Sequence, residues 1–155
     1  MDENVGTIII GAGQAGLAMS RCLHDRGLAH LVLERGAIAQ RWRSERWDSF
    51  TLLSPNWQTR LPGHRFAGPD PEGFMGAAQV VDMLERYARH APVRTGVTVD
   101  AVQRSEHGWW VLTSAGLHLA SDVVVATGDL DRPAVPAFAA ALPPRIRQLL
   151  SLIHI

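Results

Sequence analysis

Between Ile10 and Leu17 the chain reads GAGQAG, three glycines spaced as GxGxxG, and this stretch constrains the fold more than any other. It follows a short β-branched run, Val5 to Ile10, and precedes residues that recur at helical spacing, Ala15, Ala18, Met19 and Cys22, until Gly27 supplies a stop. Gly11 permits a tight turn, Gly13 lets a ligand approach the backbone, and Gly16 lets the helix pack closely on the strand. The helix N-terminus then offers unbonded N–H groups and partial positive charge to a phosphate. His30 to Glu34 (HLVLE) is a second short apolar run, so the first 34 residues predict a βαβ unit with parallel strands and a right-handed crossover. Glu34 ends that second strand eighteen residues after Gly16, where a carboxylate accepts the hydroxyl protons of a ribose and repels a 2′-phosphate. Turn and acid together predict a dinucleotide site suited to FAD or NAD rather than NADP.

The totals agree with a single globular domain or part of a larger one: 155 residues, 46% hydrophobic and 19% charged. Fifteen basic residues balance fifteen acidic ones, which leaves no field to recruit nucleic acid or an anionic membrane. Cys22 is the only cysteine, so neither an internal disulfide nor a CxxC motif exists, and its place on the helical stripe predicts an inert core residue. The seven histidines show no metal-like spacing. The N-terminus opens with acids, and no run reaches the roughly 18 apolar residues a membrane span needs, so a cytoplasmic location is expected.

Downstream, RWRSERWDSFTLLSPNW (41–57) gathers three tryptophans and three arginines in seventeen positions. Such a stretch suits either a grip on a flat polar ligand or a well-packed seam. Residues 62–76, with four glycines and three prolines, read as a long structureless connection. Val80, Val81, Leu84, Tyr87 and Ala88 mark an amphipathic helix ended by Pro92. Val97 to Arg104, Trp109 to Thr113 and Leu117 to Ala120 predict an antiparallel meander, and Asp122 to Thr127 a separate strand returning to the parallel sheet. The adjacent Trp109 and Trp110 face opposite sides of their strand.

The order IIIGAGQAGLAMSRCL, LVLERG, RWRSERWDSFTLLSPNW, meander and VVVATGDLDRPAVP resembles the N-terminal part of flavin-dependent monooxygenases of the group containing the flavin-containing and Baeyer–Villiger enzymes. The likeness runs from about residue 5 to residue 149. It implies that Gly11, Ala12, Gly13, Gln14, Ala15 and Gly16 hold an FAD pyrophosphate, with Glu34 and Arg35 at the adenosine end. It implies further that Ala126, Thr127 and Gly128 border the cofactor and that Val102, in VTVDAV, meets the adenine through its backbone. Trp42 and Arg43 match the family's cofactor-bordering Trp-Arg pair, with Gln40 and Arg41 as neighbours. Asn56, in SPNW, is the candidate for the family's catalytic asparagine near the reactive face of the flavin, where it hydrogen-bonds the reduced flavin or its oxygen adduct; the alternative is a turn residue after Pro55. Trp47, Phe50 and Trp57 are expected to pack, and Arg46 and Arg60 to be solvated.

The resemblance implies an FAD-dependent oxidoreductase, a monooxygenase that uses NADPH or NADH and O2 on a small organic substrate. A flavin reductase without oxygen insertion and a non-catalytic FAD-binding module remain the alternatives. After Gly16 no second GxGxxG appears, although such enzymes need a nicotinamide site. The last six residues, LSLIHI, resemble the in-frame translation of a transposon-end adapter used in sequencing libraries, and they begin where the likeness stops. The expectation is therefore an α/β chain: residues 1–149 form an incomplete Rossmann-like FAD-binding domain with its meander at about 97–120, and residues 150–155 are adapter read-through.

Overall fold

The computed structural model describes residues 3–128 and 134–149; the expected adapter residues 150–155 lie outside them. One six-stranded sheet organises the chain, in the order β5-β2-β1-β8-β7-β6. β1 (Glu3–Ile10), β2 (His30–Leu33), β5 (Val93–Arg94) and β8 (Gly116–Val125) are its parallel part. β7 (Gly108–Thr113) continues it antiparallel to β8, and β6 (Val99–Ser105) pairs antiparallel with β7. The predicted mixed α/β architecture with a meander is present.

Successive residues of β1 face opposite sides of the sheet, which divides the core. On one side Ile9 and Val32 pack with Leu17 of α1 (Gln14–His24) and with Val80, Val81 and Leu84 of α3 (Ala77–Tyr87). On the other, Ile8, Leu31 and Leu33 pack with Val111 and Ala120 of the meander strands, joined by Val97 and Val99. Burying so many branched apolar side chains at about 1.5–3 kcal/mol each is the main driving force for the sheet.

Several sequence expectations are corrected. The strands predicted at 117–120 and 122–127 are a single strand, β8. Ser121 and Asp122 look like a break because both are exposed, yet the ladder with β1 runs through them, from Glu3 opposite His118 to Ile10 opposite Val125. The meander is thus an extension of the parallel sheet and not a branch from it. The buried face of α1 is Gly16, Leu17 and Ser20, whereas Ala15 and Met19 are exposed and Cys22 is partly buried. The glycine turn sets this rotation: a Cβ on Gly16 would lie 1.9 Å from the Gly11 carbonyl oxygen, so that position must face β1.

Residues 62–76 are not structureless. β3 (Arg60–Leu61) and β4 (His64–Arg65) form a hairpin whose turn holds Gly63 at φ +69°. The rest is tied to the tryptophan-rich stretch by Leu52 N–H to Met75 O at 2.9 Å and Asn56 N–H to Gly73 O at 2.8 Å. That stretch itself contains a short helix, α2 (Gln40–Ser44), absent from the expectation. Trp109 and Trp110 do separate: Arg104 stacks 5.4 Å from the Trp109 ring centre, while Trp110 lines a shallow groove with Leu112 and Leu117.

Candidate functional site

The carboxyl ends of β2, β1 and β8 meet at one rim of the sheet, the position where open α/β sheets bind their ligands. Three backbone bonds lace it together: Gly11 N–H to Leu33 O at 2.8 Å, Ala126 N–H to Ile10 O at 2.9 Å and Ala39 N–H to Ala12 O at 3.1 Å. A cleft of about 810 Å³ opens there.

The glycine turn forms its floor. Gly11 has φ +106°, and a Cβ there would lie 2.6 Å from the Ala126 carbonyl oxygen. Gly13 caps the N-terminus of α1, and a Cβ there would have no atom within 4 Å, so the backbone lies bare toward the cleft. No side chain caps α1 and no acid occupies its first turn. The first N–H groups of a helix have no intrahelical acceptor, so those at Gln14 and Ala15, which line the cleft, are open to an anionic ligand.

Glu34 closes the adjacent side. Its Oε2 accepts the Ala12 N–H and its Oε1 accepts the Gly36 N–H, both at 2.8 Å. At 9% exposure the carboxylate is fixed in direction, and each oxygen keeps a lone pair for a ligand hydroxyl.

Of the residues singled out from sequence, Gly11, Gly13, Gln14, Ala15, Glu34 and Arg35 line the cleft, as do Gln40, Trp42, Ala126, Thr127 and Gly128. Ala12 and Gly16 stand behind it, buried, and shape the turn. Arg43 faces elsewhere: it forms an ion pair with Glu85 of α3 and donates from Nε to Ile38 O at 3.1 Å. Val102 sits mid-strand opposite Val111, and the cleft is met instead by Val97, Thr98 and Val99 at the start of the meander. Asn56 also lies away from the lining residues. It opens a single 3-10 turn after Pro55, is 5% exposed, and donates from Nδ2 to Asp70 O at 2.8 Å. Among the packing aromatics, Trp47 and Trp42 meet Phe50 edge-on at 5.1 and 5.6 Å, while Trp57 is 45% exposed.

Sequence reasoning missed Arg46, read as solvated. It is half-buried, lines the cleft, and stacks 4.7 Å from the Trp42 ring centre. Arg46 lies two residues past the end of α2, so helical spacing from Trp42 does not place it; its contact with the Trp42 ring depends on the bend of the chain after Ser44. Glu45, also on the wall, pairs with Arg41 at 3.5 Å. Three arginines (Arg35, Arg41, Arg46) against two glutamates (Glu34, Glu45) leave the lining net positive.

A protein-family model described as pyridine nucleotide-disulphide oxidoreductase matches residues 8–148. The chain belongs to this family. Among curated relatives, an uncharacterised CzcO-like oxidoreductase of Geobacillus kaustophilus is 34% identical over 152 residues, covering 96% of this chain and 43% of that protein. Indole-3-pyruvate monooxygenase YUCCA6 of Arabidopsis thaliana is 34% identical over 142 residues, covering 86% and 34%. Among solved structures, a variant of the flavin monooxygenase from Stenotrophomonas maltophilia superposes with a TM-score of 0.78 at 28% identity, covering 88% of this chain and 41% of that one. The chain therefore spans less than half the length of each of these relatives. Among the described residues no helix is long and apolar enough to cross a membrane, and no group of three or more His, Cys, Asp or Glu side chains is placed to hold a metal ion.

Proposed function

We propose that the cleft binds FAD and that the parent protein is an FAD-dependent monooxygenase using NADPH or NADH and O2 on a small organic substrate. The observation that carries this reading is the pairing of the bare Gly13 backbone with the Glu34 carboxylate on one cleft. The first suits a diphosphate and the second a ribose diol, the two parts a dinucleotide presents side by side.

The residues present fit the group. Gly13, Gln14 and Ala15 hold the diphosphate through backbone N–H groups at the α1 N-terminus. Glu34 accepts the ribose hydroxyls of the adenosine, and its charge disfavours a 2′-phosphate there. Arg35 and the backbone of Val97 to Val99 flank the adenine end, which shifts that contact earlier in the segment than Val102. Trp42, Arg46 and the turn Ala126 to Gly128 form the remaining wall. When bound, the flavin would supply the redox chemistry, acceptance of a hydride from reduced nicotinamide and reduction of O2 so that one oxygen atom enters the substrate and the other leaves as water. This chain's own residues orient the cofactor and exclude water around it.

The similarity to monooxygenases supports oxygen insertion over disulfide exchange, as does the single, partly buried Cys22, which cannot form a CxxC pair within this chain. The test is titration: FAD added to the purified chain is expected to bind weakly but saturably, at one FAD per chain. A folded chain that shows no saturable FAD binding, or that prefers NADP, contradicts the reading.

A further inference from the structure

Two arginines follow Trp42 within one turn of chain, and the structure separates their tasks. Arg43 is neutralised on the outer side of α2 by Glu85. Arg46 is held inside: its guanidinium lies 4.7 Å from the Trp42 ring centre and 5.6 Å from that of Phe50, and Nη1 donates to the Glu45 carbonyl at 3.0 Å. Among the described residues no carboxylate lies within ion-pair distance of it. Glu45, its neighbour, is engaged by Arg41.

A half-buried cation without a counter-charge is costly, and stacking on aromatic faces offsets only part of that cost. Arg46 lines a cleft whose floor supplies neutral donors, from the glycine turn and the α1 N-terminus. An anion seated on that floor completes both. A planar guanidinium matches phosphate oxygens bidentately, and its stacked position removes most of the entropy lost on binding.

We propose that Arg46, stacked on Trp42 beside Phe50, is a diphosphate-binding residue of the cleft, and that Arg43 is not. The proposal rests on the FAD reading above and goes beyond it by assigning the cleft's uncompensated charge to one residue.

The experiment is calorimetric titration of the purified chain and its R46Q, R46K and R43Q variants with FAD, ADP and riboflavin, alongside the melting temperature of each unliganded variant. R46Q is expected to weaken FAD and ADP by about 10- to 100-fold, the usual loss for a charge-assisted contact, and to leave riboflavin unchanged. R46K is expected to lose less, and R43Q to stay within about twofold of the parent chain. Should R46Q fail to fold, R46K carries the same comparison, with FAD and ADP weakened and riboflavin not. If FAD and ADP bind R46Q as tightly as the parent chain, Arg46 loses its assignment while the FAD reading stands. If riboflavin weakens as much as FAD, Arg46 acts on the flavin ring or on folding, and the proposal is overturned. A parent chain that binds none of the three overturns both readings.

Discussion

The Glu34 carboxylate holds the backbone of Ala12, accepting its N–H at 2.8 Å, while its second oxygen accepts the N–H of Gly36 at the same distance. The end of β2 thereby fixes the shape of the glycine turn after β1, and one side chain serves structure and site together. Glu34→Gln keeps the size but places an amide NH2 against one of those donors. The variant is expected to lose about 1–3 kcal/mol of stability and roughly tenfold in FAD affinity. Urea denaturation and an FAD titration measure the two losses; a variant unchanged in both contradicts the role.

The glycines of the turn are expected to separate folding from binding. A methyl group on Gly13 meets no atom within 4 Å, and its φ of −86° is ordinary for any residue. Gly13→Ala should leave stability within about 0.5 kcal/mol and weaken FAD, because the methyl enters the space a diphosphate needs. Gly16→Ala places its methyl 1.9 Å from the Gly11 carbonyl oxygen and should destabilise the fold by more than about 2 kcal/mol. Thermal melts of the two variants, compared with their FAD affinities, test this ordering.

Asn56 is argued to work through the 70–73 turn. Its Nδ2 donates to Asp70 O, its own N–H donates to Gly73 O, and it is 5% exposed. Asn56→Asp turns an acceptor toward the Asp70 carbonyl and should lower stability by about 1–3 kcal/mol. The same melt on unliganded protein reads this out, since a purely catalytic asparagine leaves the unliganded fold unaffected.

Stability is expected to fall at high pH through Tyr87, the only tyrosine of the chain. Burial raises its pKa above the ordinary value of 10.0, and its hydroxyl donates to Pro62 O at 2.7 Å. The folded state thus binds the phenolic proton more tightly than the unfolded state. The associated stability is fully present below pH 10 and is lost as pH rises through the folded pKa. Tyr87→Phe should cost about 1 kcal/mol at neutral pH and flatten the decline above pH 10. Denaturation at neutral pH and above pH 10 tests the sign.

What the sequence disclosed follows the range of the interactions. The βαβ unit and Glu34 were legible because strand, turn, helix and acid are set by neighbours within thirty-four residues. The rotation of α1 was not, because it depends on Gly16 meeting the Gly11 carbonyl across the turn. The continuity of β8 depends on its ladder with β1, more than a hundred residues earlier. Likewise Val97 reaches the cleft through its N–H bond to Glu34 O at 2.9 Å, a pairing that a pattern of alternating valines does not reveal. Arg43 and Arg46 were indistinguishable by type; the side of α2 that meets Glu85 decides between them.

The central claim is that a dinucleotide diphosphate rests on the N-terminus of α1. The most direct measurement is the change in backbone amide resonances of the isotopically labelled chain as FAD is added. The account predicts that the amides of Gly13, Gln14 and Ala15 shift most and saturate at one FAD per chain. Saturable binding that leaves those three amides unmoved while others shift would contradict it.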